Sequence, residues 1–452
     1  MTNTMAATIL LTIGILILLG TGSFAIMSIR ENEKRAARIS FFLVVGAVPF
    51  FILSTFPLNV KLVALWGTAV VIGIGVVLFL LPFGRVKDAY QVPASRIDER
   101  DIMFARANLE PGSPQHTAYY QLHPENKPSD DLTRTKPGLY SLDSKFADPI
   151  LFASCEASFD LTHHLRGAVE GPVAPTKQTH PEKVMTAYIK NLAKYYGALE
   201  VGITKLQPYH VYSHIGRGAG TYGDPIPTEH KYAVAITVEM NYDMIGSNPT
   251  APGSMESAHQ YVESARVAIQ LAAAIRRIGF PARAHIDGNY RVICPLVARD
   301  AGLGELSRMG LLITPSHGPR VRIAVITTDL NLVTDTPLDG SSVIDFCTIC
   351  KKCATNCPSQ SIPTDERVEI DGAFRWQIDS DSCFRYWNIA GTDCGRCMTV
   401  CPYAHPANIY HDAVRWGIAR SGIFRRFANR MDDILYGKNP AQREAPHWTK
   451  VL

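Results

Sequence analysis

Long apolar stretches occupy the first 83 residues of the chain and set them apart from the mixed pattern that follows. Three stretches, residues 5–29, 39–56 and 62–83, contain no Asp, Glu, Lys or Arg. A helix needs about 20 apolar residues to cross a hydrocarbon layer of ~30 Å, so each stretch is long enough, the second only just. The pattern therefore predicts three transmembrane helices, with Pro49 kinking the second.

Basic residues lie mainly at one end of these stretches. The connection between the first two carries four of them, Arg30, Lys34, Arg35 and Arg38. The next connection carries only Lys61, and Arg85 and Lys87 follow the third stretch. Because cytoplasmic loops are richer in Lys and Arg, we expect a multi-pass protein of the inner membrane whose remaining chain faces the cytoplasm.

After the apolar region, the chain changes to the patterns of a water-exposed protein. Residues 84–180 include proline-rich, irregular sequence and predict a wrapping or linker segment. Beyond residue 180, helical spacing at 181–198 and 254–280 alternates with four strand patterns, which lie at 199–206, 232–240, 282–286 and 321–330. This alternation predicts an α/β core over residues 181–339.

Eight of the ten cysteines fall into two runs. The first run is C-x2-C-x2-C-x3-C-P, with Cys347, Cys350, Cys353 and Cys357. The second also ends in Cys-Pro, with Cys383, Cys394, Cys397 and Cys401. Disulfides between such close neighbours would close small strained loops, and a zinc site needs paired motifs farther apart. The spacing is that of a two-cluster ferredoxin, so we predict two 4Fe–4S clusters in a module over residues 340–410, followed by a C-terminal helix and tail over residues 411–452.

The ligand sets follow from the rule that the last Cys of each run binds the other cluster. One predicted set is Cys347, Cys350, Cys353 and Cys401. The other is Cys357, Cys383, Cys394 and Cys397. Cys383 is the least firmly assigned ligand, because ten residues separate it from Cys394, more than in a compact ferredoxin. The remaining two cysteines, Cys155 and Cys294, lie in apolar sequence and are expected to be buried.

Charge and glycine patterns argue against two common functions. After residue 83 the chain holds 40 Lys and Arg against 39 Asp and Glu, so it lacks the basic excess of a nucleic-acid-binding protein. The glycine-rich segments 216–223 and 300–310 do not stand between a strand and a helix in a G-x-G-x-x-G pattern. We therefore expect neither a nucleic-acid partner nor a dinucleotide cofactor, and interpret the glycines as places where the backbone approaches a large flat group.

The order of these segments resembles the corrinoid iron–sulfur reductive dehalogenases, which are related to epoxyqueuosine reductase. The resemblance rests on the segment AGLGELSRMGLLITPSHGPRVRIAVITTDLNL followed by the two cysteine runs, and it covers about residues 98–435. It implies a nitroreductase-like α/β core that binds base-off cobalamin, with two 4Fe–4S clusters in a ferredoxin-like module. It also implies a tyrosine proton donor next to an arginine: Tyr261 is the positional match for the first, and Arg320 and Arg322 are both candidates for the second.

The resemblance further implies residues that contact the corrinoid or the substrate. They are expected among Tyr242, His214, Arg217, His285, Asp287, Asn289, Gly302 and Gly304. A tyrosine hydroxyl is a weak acid, so a neighbouring cation has to stabilise the phenolate that forms when the proton leaves. Without the resemblance, Tyr261 would be interpreted as a helix residue packed into the core.

The function implied is that of a membrane-anchored reductive dehalogenase. Its substrate would be a small organohalide such as a halogenated phenol, and its electron donor a ferredoxin, a flavodoxin or a membrane reductase. Members of the family that respire halogenated compounds carry an export leader and rely on a separate three-span anchor, whereas this chain carries three spans itself. Two alternatives stay open: a tRNA enzyme similar to epoxyqueuosine reductase, and a membrane electron-transfer protein without corrinoid. The sequence leaves the oligomeric state undetermined.

Overall fold

The computed structural model describes residues 1–81 and 91–450. Residues 82–90, which include the end of the third apolar stretch, Arg85 and Lys87, lie outside the described residues. The chain divides into two compact units, and in their described parts the first comprises residues 1–81 and 407–441 and the second residues 91–406 and 442–450.

The first unit begins with four helices. They are α1 (Asn3–Arg30), α2 (Lys34–Val44), α3 (Val48–Leu53) and α4 (Leu58–Leu80). Three helical stretches, Asn3–Arg30, Lys34–Leu53 and Leu58–Leu80, are long and apolar enough to span a membrane, as the sequence predicts. A 3₁₀ turn at Val45–Ala47 separates α2 from α3 just before Pro49, the residue at which a kink is predicted. The orientation in the membrane stays a prediction.

The second unit starts with four helices in the segment predicted to be irregular. They are α5 (Met103–Ala107), α6 (Pro114–Leu122), α7 (Lys127–Arg134) and α8 (Pro149–Leu165). The segment is more helical than its proline content implies, because several prolines stand in the first turn of a helix, where their missing N–H is not needed. Ser113 and Asp148 cap α6 and α8 through their side chains.

The core of the second unit is a four-stranded sheet with helices around it. In chain order its elements are α9 (Glu182–Tyr195), β1 (Glu200–Lys205), β2 (Tyr232–Glu239), α10 (Tyr242–Gly246), α11 (Ala251–Arg277), β3 (Ala282–His285), α12 (Cys294–Asp300), β4 (Glu305–Leu306), β5 (Leu312–Ile313) and β6 (Val321–Thr328). The sheet has the order β1-β2-β6-β3, and every neighbouring pair is antiparallel. The predicted helices and strands are thus present, and the core is mixed α/β.

The two faces of the sheet pack against different helices. Ala324 and Ile326 on β6 join a buried cluster with Ala268 of α11. Val325 points to the opposite face and joins a second cluster with Val297 of α12. Because side chains alternate along a strand, Arg322 is on the α11 face together with Ala324 and Ile326. This alternation decides which polar residues of β6 can meet α11.

The cysteine runs form the last part of the second unit. Its elements are α13 (Ser341–Cys350), α14 (Lys352–Thr355), β7 (Val368–Ile370), β8 (Ala373–Arg375), α15 (Ser380–Ala390) and α16 (Arg396–Thr399). Lys351 and Cys394 have positive φ angles of 56° and 57°, so the chain turns sharply within both runs. The chain then returns to the first unit with α17 (Ile409–Arg420) and α18 (Gly422–Leu435).

Candidate functional site

A cavity of about 340 Å³ lies at the start of β6. Its wall is mainly apolar and aromatic, and its lining includes Phe104, Tyr212, Tyr261, Tyr290, Leu312 and Arg322. The lining residues come from α5, α11, α12, β5 and β6 as well as from the cysteine-rich part of the chain, which contributes Met398. We call this space the tyrosine–arginine cavity.

Tyr261 and Arg322 meet directly in this cavity. The guanidinium carbon of Arg322 lies 3.9 Å from the centroid of the Tyr261 ring. The guanidinium also donates a hydrogen bond to the hydroxyl of Ser257, one turn before Tyr261 on α11. Its Nε is buried and has no hydrogen-bond partner among the described residues. The arginine is therefore held in place while one of its donors remains available.

Burial and charge give this pair definite protonation states. Burial raises the pKa of Tyr261, and the Arg322 guanidinium opposes that change. Burial alone would lower the pKa of Arg322, but interactions with Tyr261 and Asp393 raise it above its usual value. At neutral pH the pair consists of a neutral phenol and a cation, which is the arrangement required of a proton donor with a stabilising charge.

The second arginine candidate, Arg320, has different neighbours. It is 1% exposed and donates to the carbonyl oxygens of Met240 and Ala404 and to Glu239, whose carboxylate is 3.1 Å away. It is not part of the lining of the tyrosine–arginine cavity. Hydrogen bonds from His317 and Arg320 hold the pKa of Glu239 at about 2, so this pair is ionised. Arg322 therefore contacts Tyr261, whereas Arg320 is bonded to backbone carbonyl oxygens and to Glu239.

Arg217 also lines the cavity, and residues from the distant segment before α5 position it. Its guanidinium lies 5.5 Å from the ring of Phe104 and 3.4 Å from the carboxylate of Glu99. Glu99 is fully buried and accepts further hydrogen bonds from the backbone N–H groups of Gly216 and Arg217. Glu99 and Phe104 were not among the predicted site residues, and the local sequence signal near them is the acidic–basic run DERD that begins at Asp98.

Two predicted residues do not line the tyrosine–arginine cavity. One is His214, whose Nδ1 atom lies 2.9 Å from the carboxylate of Asp98. The ring of Tyr242 lies between two guanidinium groups, with Arg443 at 3.6 Å and Arg320 at 5.5 Å from its centroid. Tyr242 is not a lining residue of that cavity either.

A second, more polar cavity of about 280 Å³ lies near the other end of β6. His285, Thr327, Arg283 and Arg291 line it, and Val292 lines both cavities. His285 accepts from the backbone N–H of Arg291 through Nδ1, so its Nε2 carries the proton and donates to Thr327 Oγ1 at 3.0 Å. Burial also lowers its pKa well below the usual value, and His285 is therefore neutral.

The other predicted residues around this region have structural partners. Asp287 forms an ion pair of 3.5 Å with Arg166. Asn289 is 1% exposed and accepts a hydrogen bond from Arg283. A Cβ atom on Gly302 would lie 2.6 Å from the carbonyl oxygen of Thr336, and one on Gly304 would lie 2.2 Å from that of Ile313. At both positions a side chain would collide with neighbouring backbone. This close packing explains the two glycines without a flat ligand.

The clustered cysteines affect one another electrostatically, and their division into two ligand sets stays a prediction. The thiols of Cys347, Cys350 and Cys353 raise the pKa of Cys401. Those of Cys394, Cys353, Cys383 and Cys357 raise the pKa of Cys397, so Cys397 has neighbours from both predicted sets. Burial is the largest cause of both raised pKa values. Iron binding offsets this cost, because a coordinated thiol is deprotonated. Cys155 and Cys294 are both buried, as expected.

Across residues 1–81 and 91–450, no three His, Cys, Asp or Glu side chains converge in a way that would hold one metal ion. A 4Fe–4S cluster places each thiolate on its own iron, so its four ligands need not converge on one point. Met398, between Cys397 and Cys401, lines the tyrosine–arginine cavity, which brings the second set of cysteines next to that space.

Comparisons with known proteins assign the two parts of this site. Residues 346–405 match the 4Fe-4S dicluster domain. Tetrachloroethene reductive dehalogenase of Sulfurospirillum multivorans is 31% identical over 298 residues, which are 58% of this chain and 59% of that protein. The corresponding enzyme of Desulfitobacterium hafniense is 34% identical over 259 residues, 53% of this chain and 46% of that protein. The chain thus spans roughly half the length of these curated relatives.

Solved structures and a more distant relative agree with this assignment. The catabolic reductive dehalogenase NpRdhA is 26% identical, with a TM-score of 0.64 over 79% of this chain and 49% of that chain. Epoxyqueuosine reductase of Lactococcus garvieae is 28% identical over 195 residues, 38% of this chain and 54% of that protein. The fold and the cysteine sets define a two-cluster iron–sulfur protein of mixed α/β architecture. Over about half of their length the chain is similar to reductive dehalogenases, and it is also similar to epoxyqueuosine reductase at lower identity.

Proposed function

We propose that this chain is a membrane-anchored reductive dehalogenase that uses cobalamin and two 4Fe–4S clusters to remove halide from an organohalide. The observation that carries the proposal is the contact of Tyr261 with Arg322 in a cavity that Met398 also lines. A proton donor, a fixed cation and a neighbour of the cluster cysteines thus face one space. Among the relatives, one solved structure is that of a reductive dehalogenase described as B12-dependent in its dehalogenation.

The residues of the two cavities fit a corrinoid in a nitroreductase-like core. A corrinoid has a large flat ring with polar amide arms and a phosphate-bearing tail. The tyrosine–arginine cavity has mainly apolar walls suited to the ring, and the polar cavity offers Arg283, Arg291 and Thr327 to the arms or the tail. Val292 lines both spaces. When bound base-off, the cofactor supplies the redox metal for breaking the carbon–halogen bond.

The residues of the chain supply the proton and the charge for the reaction. Replacing halogen by hydrogen consumes two electrons and one proton and releases one halide ion. Tyr261 donates the proton from its hydroxyl, and the Arg322 guanidinium stabilises the phenolate that remains until a solvent proton replaces the lost one. The raised pKa of Tyr261 keeps the proton on the tyrosine until the reaction draws it away. The apolar walls limit the access of competing water.

We propose a halogenated aromatic compound, such as a halophenol, as the substrate. NpRdhA has been solved in complex with 3-bromo-4-hydroxybenzoic acid, at 26% identity to this chain and a TM-score of 0.61. Aromatic side chains in the cavity, including Tyr212, Tyr290 and Phe104, offer ring surfaces against which a phenol can pack. Electrons would enter through the clusters from a ferredoxin, a flavodoxin or a membrane reductase on the cytoplasmic side, with the chain anchored in the inner membrane by α1–α4.

The proposal is tested by metal content and by halide release. The full chain is purified without oxygen, reconstituted with cobalamin, reduced chemically and supplied with a bromophenol. We expect about one cobalt and about eight irons per chain, together with stoichiometric bromide and the debrominated phenol. Eight irons without cobalt uptake would favour the electron-transfer alternative. A fully loaded protein that reduces epoxyqueuosine in tRNA and leaves the bromophenol intact would favour the tRNA enzyme.

A further inference from the structure

The two last helices of the first unit expose a stripe of apolar and basic side chains. On α17, Ile409, Ala413, Trp416 and Arg420 recur at helical spacing and are all exposed. The Trp416 ring is 48% exposed, and the guanidinium carbon of Arg420 lies 4.0 Å from its centroid. Tryptophan and arginine in such contact are typical of side chains at a membrane surface.

A matching stripe follows on α18. Its exposed residues are Arg426, Phe427, Arg430 and Ile434, again at helical spacing. Neither Arg426 nor Arg430 makes an ion pair with any described residue of the chain. The stripe thus presents two uncompensated cations next to two large apolar side chains.

Contacts within the first unit fix both helices to the C-terminal halves of α1 and α4. Tyr410 donates a hydrogen bond of 3.0 Å to the carbonyl oxygen of Gly20 in α1. Ser421 donates one of 2.8 Å to the carbonyl oxygen of Leu78 in α4. The ring of Phe424 lies 4.7 Å from that of Phe79, at an angle of 88°. The helices α17 and α18 therefore pack against the C-terminal halves of α1 and α4.

The same end carries the basic connection between α1 and α2. Arg35, at the start of α2, donates a hydrogen bond of 2.8 Å to the carbonyl oxygen of Ile434 in α18. Residues 30–38 contain four Lys and Arg against two acidic residues, and residues 407–441 contain six against three. Positive charge from two distant parts of the sequence is thus collected at one end of the apolar helices.

We propose that α17 and α18 lie in the headgroup layer of the membrane and form a binding surface for anionic phospholipids. The apolar side chains of the stripe would enter the boundary of the acyl chains, while Arg420, Arg426 and Arg430 contact lipid phosphates. A second copy of the chain is a weaker occupant, because two surfaces of the same sign repel each other. An anionic leaflet has the complementary charge and already adjoins helices of membrane-spanning length.

Quenching of Trp416 fluorescence by brominated lipids tests this proposal on the full chain. The protein is reconstituted in phosphatidylcholine nanodiscs that contain either brominated phosphatidylglycerol or brominated phosphatidylcholine at equal fractions. The signal of Trp416 is the difference between the unchanged chain and Trp416→Phe. We expect stronger quenching by the anionic lipid. Because each arginine near an anionic surface contributes roughly a factor of five, replacing Arg420, Arg426 and Arg430 together by Gln should lower the preference on the order of 100-fold.

The matched control replaces three exposed basic residues of the second unit, Lys183, Lys194 and Arg277, by Gln and should leave the preference unchanged. Raising the salt concentration gives a readout without any substitution, because it should weaken the preference of the unchanged chain. Equal quenching by the two lipids at low salt would overturn the proposal. The absence of quenching by both lipids would overturn it too. A native mass of two chains under those conditions would point to a second copy as the occupant of the surface.

Discussion

The polar groups at the two ends of strand β6 differ in charge: one end has a cation and the other has neutral groups. At its start, Arg322 is a cation in contact with the Tyr261 ring, in a mainly apolar cavity. At its end, Thr327 accepts a hydrogen bond from neutral His285, in a more polar cavity. One strand thus takes part in a pair with a positive charge, Arg322 and Tyr261, and in an uncharged pair, Thr327 and His285.

The difference shows that burial alone does not decide the chemistry of a cavity. Burial acts against the charged form at both ends, but arginine keeps its proton because its ordinary pKa is very high and Tyr261 interacts with it favourably. Histidine has an ordinary pKa near 6.5 and gives up its charge, and two hydrogen bonds then fix its tautomer. The start of β6 thus places a cation directly beside a proton donor, an arrangement suited to stabilising the negative charge that develops on the donor.

The largest expected effect comes from removing the hydroxyl of Tyr261. Tyr261→Phe keeps the ring over Arg322 but removes the proton donor, so we expect turnover to fall by roughly 10²–10⁴-fold. The measurement is the rate of halide release under chemical reduction, together with cobalt and iron content. Tyr195→Phe, at an 83% exposed tyrosine, serves as the matched control. Unchanged turnover of a fully loaded Tyr261→Phe variant would remove Tyr261 from the mechanism.

The two arginine candidates should separate activity from stability. Arg322→Gln removes the charge beside Tyr261, so we expect turnover to fall by about 10²–10³-fold with little change in thermal stability. Arg320→Gln removes donors from the buried carbonyl oxygens of Met240 and Ala404, so it should lower the free energy of unfolding by about 3 kcal/mol. Turnover at a permissive temperature and thermal melting check both effects. The reverse result would make Arg320 the catalytic arginine.

At the neutral end of β6 we expect an effect on folding stability. Thr327 accepts from buried His285 and also contacts Nδ1 of half-buried His230 at 2.7 Å, so Thr327→Val leaves one ring nitrogen of each histidine without this partner. We expect a loss of about 2 kcal/mol in the free energy of unfolding, measured by denaturant titration. Thr204→Val on β1, where the hydroxyl makes only a long bond of 3.4 Å, is the control. An effect no larger than that of the control would show that these hydrogen bonds contribute little.

The smallest expected effect is on the pH profile. Burial raises the pKa of Tyr261 above its ordinary value near 10, despite the opposing charges of Arg322 and Arg217. Asp287 and Asp393 act in the same direction as burial. The donor form is therefore present throughout the neutral range and is lost only above about pH 10. We expect kcat to stay flat on the alkaline side up to that pH. A decline near pH 8 that disappears in Tyr261→Phe would contradict this assignment.

Local patterns were sufficient for the membrane helices, the strands and the cysteines. Cluster ligands follow one another at fixed short spacings, so the two-cluster module could be predicted before its match to residues 346–405 was known. The strands near the site were also predictable, because their apolar runs are bounded by polar residues. Each of these patterns can be recognised from residues that are close together in the sequence.

The arrangement of the cavity could not be predicted in the same way. Choosing between Arg320 and Arg322 required the tertiary contacts of each, since residues two apart share a face of a strand and alternation does not separate them. Glu99 and Phe104 reach Arg217 across a long sequence separation and have no shared motif with it. The resemblance to a family supplied Tyr261, which its own helix pattern would have assigned to the core.

The composition of the first unit has a consequence for biosynthesis. Its apolar helices α1–α4 are made first, whereas α17 and α18, which bond to Gly20 and Leu78, are made only after the sheet and both cysteine runs. During translation the apolar helices are therefore complete before Tyr410 and Ser421 exist to donate to the carbonyl oxygens of Gly20 and Leu78. Completion of the first unit depends on the ribosome having delivered nearly all of the second, so the anchor can be finished only on a chain that already contains its cluster-binding residues.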